Sequence, residues 1–283
     1  MAGSSPPPWL DAAGRGLKRA ALFAGDMGVK AGRSLAEAYR LIDPDVRRHL
    51  AHLPLVGMTH LGPRGTPLRA LADDGERPIL FVHGLGGHPG NFLPMRAFFR
   101  LAGRTRTYAV SFPDGAELPA MAAHLRGVLE RVFKVNQLDP RARVDIVAHS
   151  MGGIVSRLAL ADAAFRRRVH TLVTLGTPHL GTHLARLADS PHTRALRPDS
   201  VLLRQLEKQL PWKGPPSSPR LVSFWSRSDV LLLPAGTARV RGASNVEVEG
   251  FTHLSYLIEP SAWRMVLETL AAPASPRRRA RPG

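Results

Sequence analysis

The amino-acid sequence predicts an α/β protein with a mostly parallel central sheet that helices cover on both faces. From Pro78 onward, short apolar runs typical of strands alternate with longer segments that have helical periodicity. Two of these strands end in turns of small residues, at 84–87 and at 150–153. Strands that are separated by helices usually pair in parallel, and a parallel sheet is buried on both faces.

Ten elements follow one another in this region. The strands, which are short and rich in aliphatic or β-branched residues, are Ile79–Val82, Thr107–Phe112, Val144–Ala148, Val169–Leu175, Leu221–Trp225 and Asn245–Val248. The helices, in which apolar residues recur every three or four positions, are Asn91–Leu101, Ala116–Val135, Ile154–Ala164 and Ser261–Leu270. The long stretch 179–218 interrupts the alternation, and connections of this kind are usually much shorter. We interpret it either as a lid-like insertion over a binding site or as a plain surface insertion.

The chain of 283 residues is 44% hydrophobic, which is enough for one hydrophobic core. We predict a helical N-terminal extension and linker at 1–70, an α/β domain at 71–272 and a disordered basic tail at 273–283. Within the first part, 10–53 is predicted to be helical, and 54–77 is predicted to be irregular because Pro and Gly recur in it. The absence of cysteine excludes disulfides, thiolate catalysis and cysteine metal sites.

The chain is strongly basic, with 39 Lys and Arg against 22 Asp and Glu and a formal net charge of +17. The cations are mostly arginines scattered along the sequence, apart from Arg166–Arg168 and Arg277–Arg279. A nucleic-acid footprint is a concentrated basic patch, so we expect no nucleic-acid partner. The basic residues of 10–53 leave two interpretations open: a helical hairpin packed on the α/β domain, or an amphipathic segment in peripheral contact with a membrane.

No window of the sequence holds the roughly 18 apolar residues that a membrane-spanning helix needs. The apolar run Ala20–Ala24 is also shorter than the roughly 7–15 residues of an export signal. We therefore expect a cytoplasmic or peripheral membrane protein, and secretion stays open.

The run from Ala148 to Gly153 joins a predicted strand directly to a predicted helix. A serine hydroxyl becomes a nucleophile only when a base or a similar device activates it. A sharp strand-to-helix turn exposes such a hydroxyl, and it needs small residues two positions before and two positions after the serine. Ala148, in place of the usual glycine, and Gly152 meet that need. We therefore predict that Ser150 is a nucleophile, and the alternative is a serine that caps a buried helix.

A glycine-rich run, His83-Gly84-Leu85-Gly86-Gly87, follows the first strand. Acyl transfer builds negative charge on a carbonyl oxygen, and each fixed backbone N–H aimed at that oxygen stabilises it by roughly 2.7–4 kcal/mol. We predict that the N–H groups of Leu85 and Met151 form this oxyanion hole. The alternative is an ordinary glycine turn after a strand.

A base and an acid should follow the serine in the order Asp or Glu, then His. His253 lies in a loop between the last strand and the final helix, and Asp229 lies just past the strand Leu221–Trp225. We predict these two as base and acid, and a turn-capping role is the alternative for Asp229. The rival residues are His170, His179, His183, His192, Glu247, Glu249 and Asp199. His179 and His183 have the spacing of metal ligands but lack a matched third ligand, so we expect no metal and no cofactor.

These motifs together resemble bacterial lipases and lipase-like esterases of the α/β-hydrolase fold. The resemblance covers 78–270 and includes Pro78–Gly87, Val144–Gly153 and the Gly-Thr-Pro turn at 176–178. It implies a triad of Ser150, Asp229 and His253, an oxyanion hole formed by Leu85 and Met151, and a lid position for 179–218. Residues 1–70 and the tail have no recognised counterpart in these lipases and esterases.

The resemblance implies a serine hydrolase that cleaves carboxylic esters, with a small-molecule ester or acyl lipid as substrate. Two alternatives stay open at this point. An acyltransferase would use the same triad with an alcohol as acceptor. A membrane-binding module would keep the fold with little turnover.

Overall fold

The computed structural model describes residues 42–62, 67–209, 212 and 219–272. The described N-terminal part is one helix, α1 (Pro44–Thr59). The predicted helical residues before 42, most of the Pro-rich run 211–218 and the predicted tail lie outside the described residues. Among the helices described, none combines the length and the apolar character needed to cross a bilayer.

The α/β region contains the predicted alternation of elements. Its strands are β1 (Ile79–Val82), β2 (Thr107–Ala109), β3 (Val144–His149), β4 (Val169–Leu175), β5 (Arg220–Trp225) and β6 (Ser244–Glu247). Its principal helices are α2 (Leu93–Leu101), α3 (Leu118–Val135), α4 (Met151–Ala159), α5 (Ala163–Arg167), α6 (Pro191–Ala195), α7 (Val201–Gln209), α8 (Ser255–Ile258) and α9 (Pro260–Ala271). Short 3₁₀ helices lie at Pro89–Phe92, His183–Arg186 and Ala235–Ala238.

The six strands form one sheet in the order β2-β1-β3-β4-β5-β6, and every pairing is parallel. Alternate residues of β1 enter different cores: Leu80 and Val82 pack on one face of the sheet, and Ile79 and Phe81 pack on the other. Helices α3 and α4 pack on the first core, and α2 and α9 pack on the second. The predicted parallel sheet with helices on both faces is therefore confirmed.

Three predicted boundaries are wrong. The predicted irregular segment 54–77 begins too early, because α1 continues through Pro54 to Thr59. Proline disfavours a helix interior, but Leu53 and Val56 pack against the core and stabilise the turn on either side of it. The helix predicted at Ile154–Ala164 is two helices, α4 and α5, and the Asp162 side chain caps the second. Strand β2 ends at Ala109, earlier than the predicted Phe112.

Candidate active site

Ser150 occupies a strained turn between β3 and α4. Its backbone dihedrals are φ 54° and ψ −131°, and a non-glycine residue held in such a conformation costs about 1–3 kcal/mol. Neighbouring backbone holds the turn: the Ser150 N–H donates to the Leu175 carbonyl at 2.9 Å, and the Ser150 carbonyl accepts from the Thr177 hydroxyl at 2.8 Å. The strain is therefore supported by β4 and by the Gly-Thr-Pro turn that follows it.

The loop after β1, residues 83–92, lies directly against this turn and is called the oxyanion loop below. A Cβ atom built on Gly84 would lie 2.6 Å from the Ser150 Cβ and 3.2 Å from its Oγ. A Cβ atom on Gly152 would lie 2.5 Å from the Val82 carbonyl oxygen. Both positions therefore need glycine, because the two backbones approach too closely for a side chain.

Both predicted oxyanion donors lie on these two segments. Met151 is the first residue of α4, and the first N–H groups of a helix have no intrahelical acceptor. Leu85 belongs to the oxyanion loop, and 44% of its surface is exposed. The segments that carry the two N–H groups meet at Ser150.

His253 and Asp229 form a buried hydrogen-bonded pair. The His253 Nδ1–H donates to the Asp229 carboxylate, with distances of 2.9 Å to Oδ2 and 3.1 Å to Oδ1. Only 5% of His253 and 1% of Asp229 is exposed. Because Nδ1 carries the proton, Nε2 is the ring nitrogen that can accept one from a hydroxyl.

The pair converges with the Ser150 turn at the carboxyl end of the sheet. A Cβ atom built on Gly176, at the end of β4, would lie 2.8 Å from Asp229 Oδ2 and 3.3 Å from His253 Nδ1. Leu175, the preceding residue, accepts the Ser150 N–H. The three predicted triad residues thus lie around one strand end, although they come from three separate segments.

Comparison with solved structures shows which fold this is. The mature Bacillus licheniformis lipase BlEst2 superposes with a TM-score of 0.59 at 19% identity, over 73% of this chain and 96% of that one. Aspergillus fumigatus lipase B gives 0.59 at 16% identity, over 73% of this chain and 55% of that one. The chain has the α/β-hydrolase fold.

The chain has two further similarities. Residues 105–193 match a family described as the PGAP1-like alpha/beta domain. Legionella pneumophila phospholipase PlaB superposes with a TM-score of 0.54 at 14% identity, over 70% of this chain and 60% of that one.

His149, which sequence reasoning missed, joins the two parts of the site. Its Nε2–H donates to the His253 backbone carbonyl at 2.9 Å, and the two imidazole rings lie 4.7 Å apart. Burial is the main reason that the pKa of His149 lies well below its usual value, so the ring stays neutral. The sequence did contain a signal for His149: it is a polar residue at the end of an apolar strand, directly before the predicted nucleophile.

Two of the rival histidines are engaged elsewhere. His170 lies 3.4 Å from the Asp145 carboxylate, at the amino end of the sheet. His179 is fully buried and contacts the Thr174 hydroxyl at 3.1 Å. Across the described residues, no group of three or more histidines and carboxylates has the arrangement of a metal site.

Two of the rival carboxylates make surface ion pairs. Glu247 contacts Arg227 at 2.6 Å, and Asp199 contacts Arg186 at 3.1 Å. Asp229 is the carboxylate that holds the His253 imidazole.

The insertion 179–218 is attached to the helix that follows the nucleophile. Arg157 of α4 is 1% exposed, and its guanidinium donates to Glu207 of α7 at 2.7 Å. This ion pair, in which the Glu207 side chain is 36% exposed, attaches α7 of the insertion to α4.

Proposed function

We propose that this protein is a serine hydrolase that cleaves carboxylic esters through Ser150, His253 and Asp229. The observation that carries the proposal is the buried His253–Asp229 pair, which lies beside a strained serine turn on the α/β-hydrolase fold. A structural role alone would require neither the strained backbone of Ser150 nor a buried imidazole bound to a carboxylate. The solved structures with the same fold include enzymes named as lipases.

The proposed reaction is a two-step acyl transfer. His253 Nε2 takes the Ser150 hydroxyl proton as Oγ attacks the ester carbonyl. The N–H groups of Leu85 and Met151 stabilise the oxyanion, and Asp229 stabilises the imidazolium. The imidazolium then protonates the leaving alcohol, and water repeats the sequence in reverse to release the acid and restore Ser150.

A fluorophosphonate probe tests the nucleophile directly. We expect the probe to label Ser150 in the intact protein, as identified by mass spectrometry of the labelled peptide. Ser150→Ala should abolish the labelling, whereas the exposed Ser261→Ala should retain it. Labelling that survives Ser150→Ala would refute the assignment.

An acyl lipid is the substrate class that the surface favours. Exposed large apolar side chains lie on α1 or just after it, on the oxyanion loop, on the insertion and on the segment after Asp229: Val46, Leu50, Leu55, Met58, Leu61, Leu85, Leu180, Leu187, Val201, Leu231 and Leu233. Surfaces that contact lipids or proteins expose apolar side chains of this size. We therefore also propose peripheral contact with an anionic lipid surface, which the net charge of +17 would favour.

Co-sedimentation with phosphatidylglycerol vesicles tests this contact. Met58→Gln, at a side chain that is 65% exposed, should weaken binding. Leu101→Gln changes a residue at the end of α2 that is 90% exposed, and it should not. Equal effects of the two variants would argue against a directed contact.

Ester substrates separate the remaining functions. A series of p-nitrophenyl esters of increasing chain length, below and above their solubility limit, should show hydrolysis and define the acyl preference. Transfer of the acyl group to an added alcohol, in preference to water, would indicate an acyltransferase. Vesicle binding without hydrolysis of any ester would indicate a membrane-binding module.

A further inference from the structure

Helix α1 precedes the α/β region and contacts both of the loops that serve Ser150. Its first half lies on residues 248–254, called the His253 loop below. Arg48 Nη1 donates to the Gly250 carbonyl at 2.9 Å, and Arg48 Nη2 lies 3.6 Å from Glu259. His52, one turn further on, lies 3.4 Å from the Thr252 hydroxyl. These contacts reach the residue directly before His253.

The same helix carries a buried histidine on the face that packs on the protein. His49 is 9% exposed. Burial is the main reason that the pKa of His49 is lowered to about 4. His49 is therefore held neutral on the buried face of α1.

The other end of α1 is fixed to the oxyanion loop. The Asn91 side-chain amide donates to the Thr59 hydroxyl at 2.7 Å, and the His88 N–H donates to Asn91 Oδ1 at 2.6 Å. The His60 and His88 rings lie 5.3 Å apart. Through Asn91, the end of α1 is therefore hydrogen-bonded to the loop that carries the Leu85 N–H.

We propose that α1 is a strap that sets the separation of the His253 loop from the oxyanion loop, with Arg48 and Thr59 as its positioning residues. The proposal rests on the ester-hydrolase function proposed above. A helix is stiff along its axis and rises 1.5 Å per residue, so these two attachment points lie about 16 Å apart. Because the helix is bonded to one loop at each end, its fixed length sets the distance between His253, the general base, and the Leu85 N–H, an oxyanion donor.

The strap acts on the reaction through geometry, because neither Arg48 nor Thr59 touches the reacting atoms. A displacement of about 1 Å between catalytic groups can cost as much as 10²-fold in rate. Release of one end should therefore slow both acylation by an ester and labelling by a fluorophosphonate. It should leave ester binding, and hence KM, nearly unchanged.

The experiment measures the second-order rate of fluorophosphonate labelling at Ser150, together with kcat and KM for a soluble short-chain ester. Arg48→Met and Thr59→Val should each lower the labelling rate and kcat about tenfold, with less than a twofold change in KM. The conservative variants Arg48→Lys and Thr59→Ser should restore most of the rate. Arg100→Ala, at an exposed arginine on α2, controls for the loss of charge and should leave the rate unchanged.

The double variant Arg48→Met/Thr59→Val distinguishes a strap from two local effects. If α1 connects both loops, loss of either attachment already lets the loops move relative to each other. The double variant should then be about as slow as either single variant. Independent local effects would instead multiply to about 100-fold, and that result would overturn the proposal. Thermal unfolding midpoints for all variants separate loss of rate from loss of fold.

The two proposals fail in different ways. Absence of probe labelling at Ser150 in the unaltered protein would refute the hydrolase function. Normal labelling of the unaltered protein, together with unchanged rates in Arg48→Met and Thr59→Val, would overturn the strap alone. A fall in rate that tracks the fall in thermal midpoint, with no rescue by Arg48→Lys or Thr59→Ser, would also overturn it.

Discussion

The two sides of the site, called the nucleophile side and the base side after the roles proposed for Ser150 and His253, are held by different kinds of contact. Ser150 lies on one continuous stretch, from β3 through α4, and the strain of its turn is supported by adjacent parallel strands. His253 and Asp229 lie 24 residues apart on two loops, and side chains fix them. The nucleophile side is therefore a property of the sheet, whereas the base side depends on contacts between segments far apart in the chain.

His149 and α1 are the two devices that connect these sides. His149 belongs to β3 and binds the His253 carbonyl, and α1 reaches from the His253 loop to the oxyanion loop. A site divided in this way should tolerate different changes on its two sides, and the following variants test that difference.

The largest effect is expected from Asp229→Asn on the base side. The amide cannot hold the His253 tautomer or stabilise the imidazolium, so kcat should fall about 10³–10⁴-fold. The change leaves β3 and α4 untouched, and the circular dichroism spectrum should remain that of the folded protein. Steady-state ester hydrolysis measures the loss, with Glu247→Gln as the control carboxylate. Unchanged turnover would point to another acid.

An intermediate effect is expected where the two sides meet. His149→Leu removes the donor to the His253 carbonyl, and we expect kcat to fall by up to about 100-fold. His149→Gln keeps a side-chain N–H that can reach the same carbonyl, so it should recover part of the rate. Rates measured in parallel with the thermal midpoint check this. Equal rates in the Gln and Leu variants would show that the hydrogen bond does not matter.

The smallest effect concerns stability on the nucleophile side. Burial is the main reason that the pKa of His83 falls from 6.5 to about 4. Between these values the unfolded chain binds a proton that the folded protein does not, so the free energy of unfolding falls as the pH falls. His83 should contribute about 2 kcal/mol of this loss between pH 7 and pH 5.

Urea unfolding at pH 7 and pH 5 measures this contribution. His83→Gln cannot titrate, so the difference between its two unfolding free energies should be smaller than that of the unaltered protein by about 2 kcal/mol. An identical pH dependence would show that His83 is protonated as readily in the fold as in the unfolded chain.

The sequence by itself determined the alternation of strands and helices, the turn at Ser150 and the position of Asp229 and His253 in loops that follow strands. Each is a local property: periodicity reports which face is buried, and a parallel sheet brings the residues after its strands to one edge. Tertiary structure decided the rest. The His149–His253 bond spans 104 residues, and the Arg48–Gly250 bond spans 202. Helix α1 runs through Pro54 because packing of its neighbours outweighs local preference. Contacts of this kind depend on how whole elements pack, and no local pattern records them.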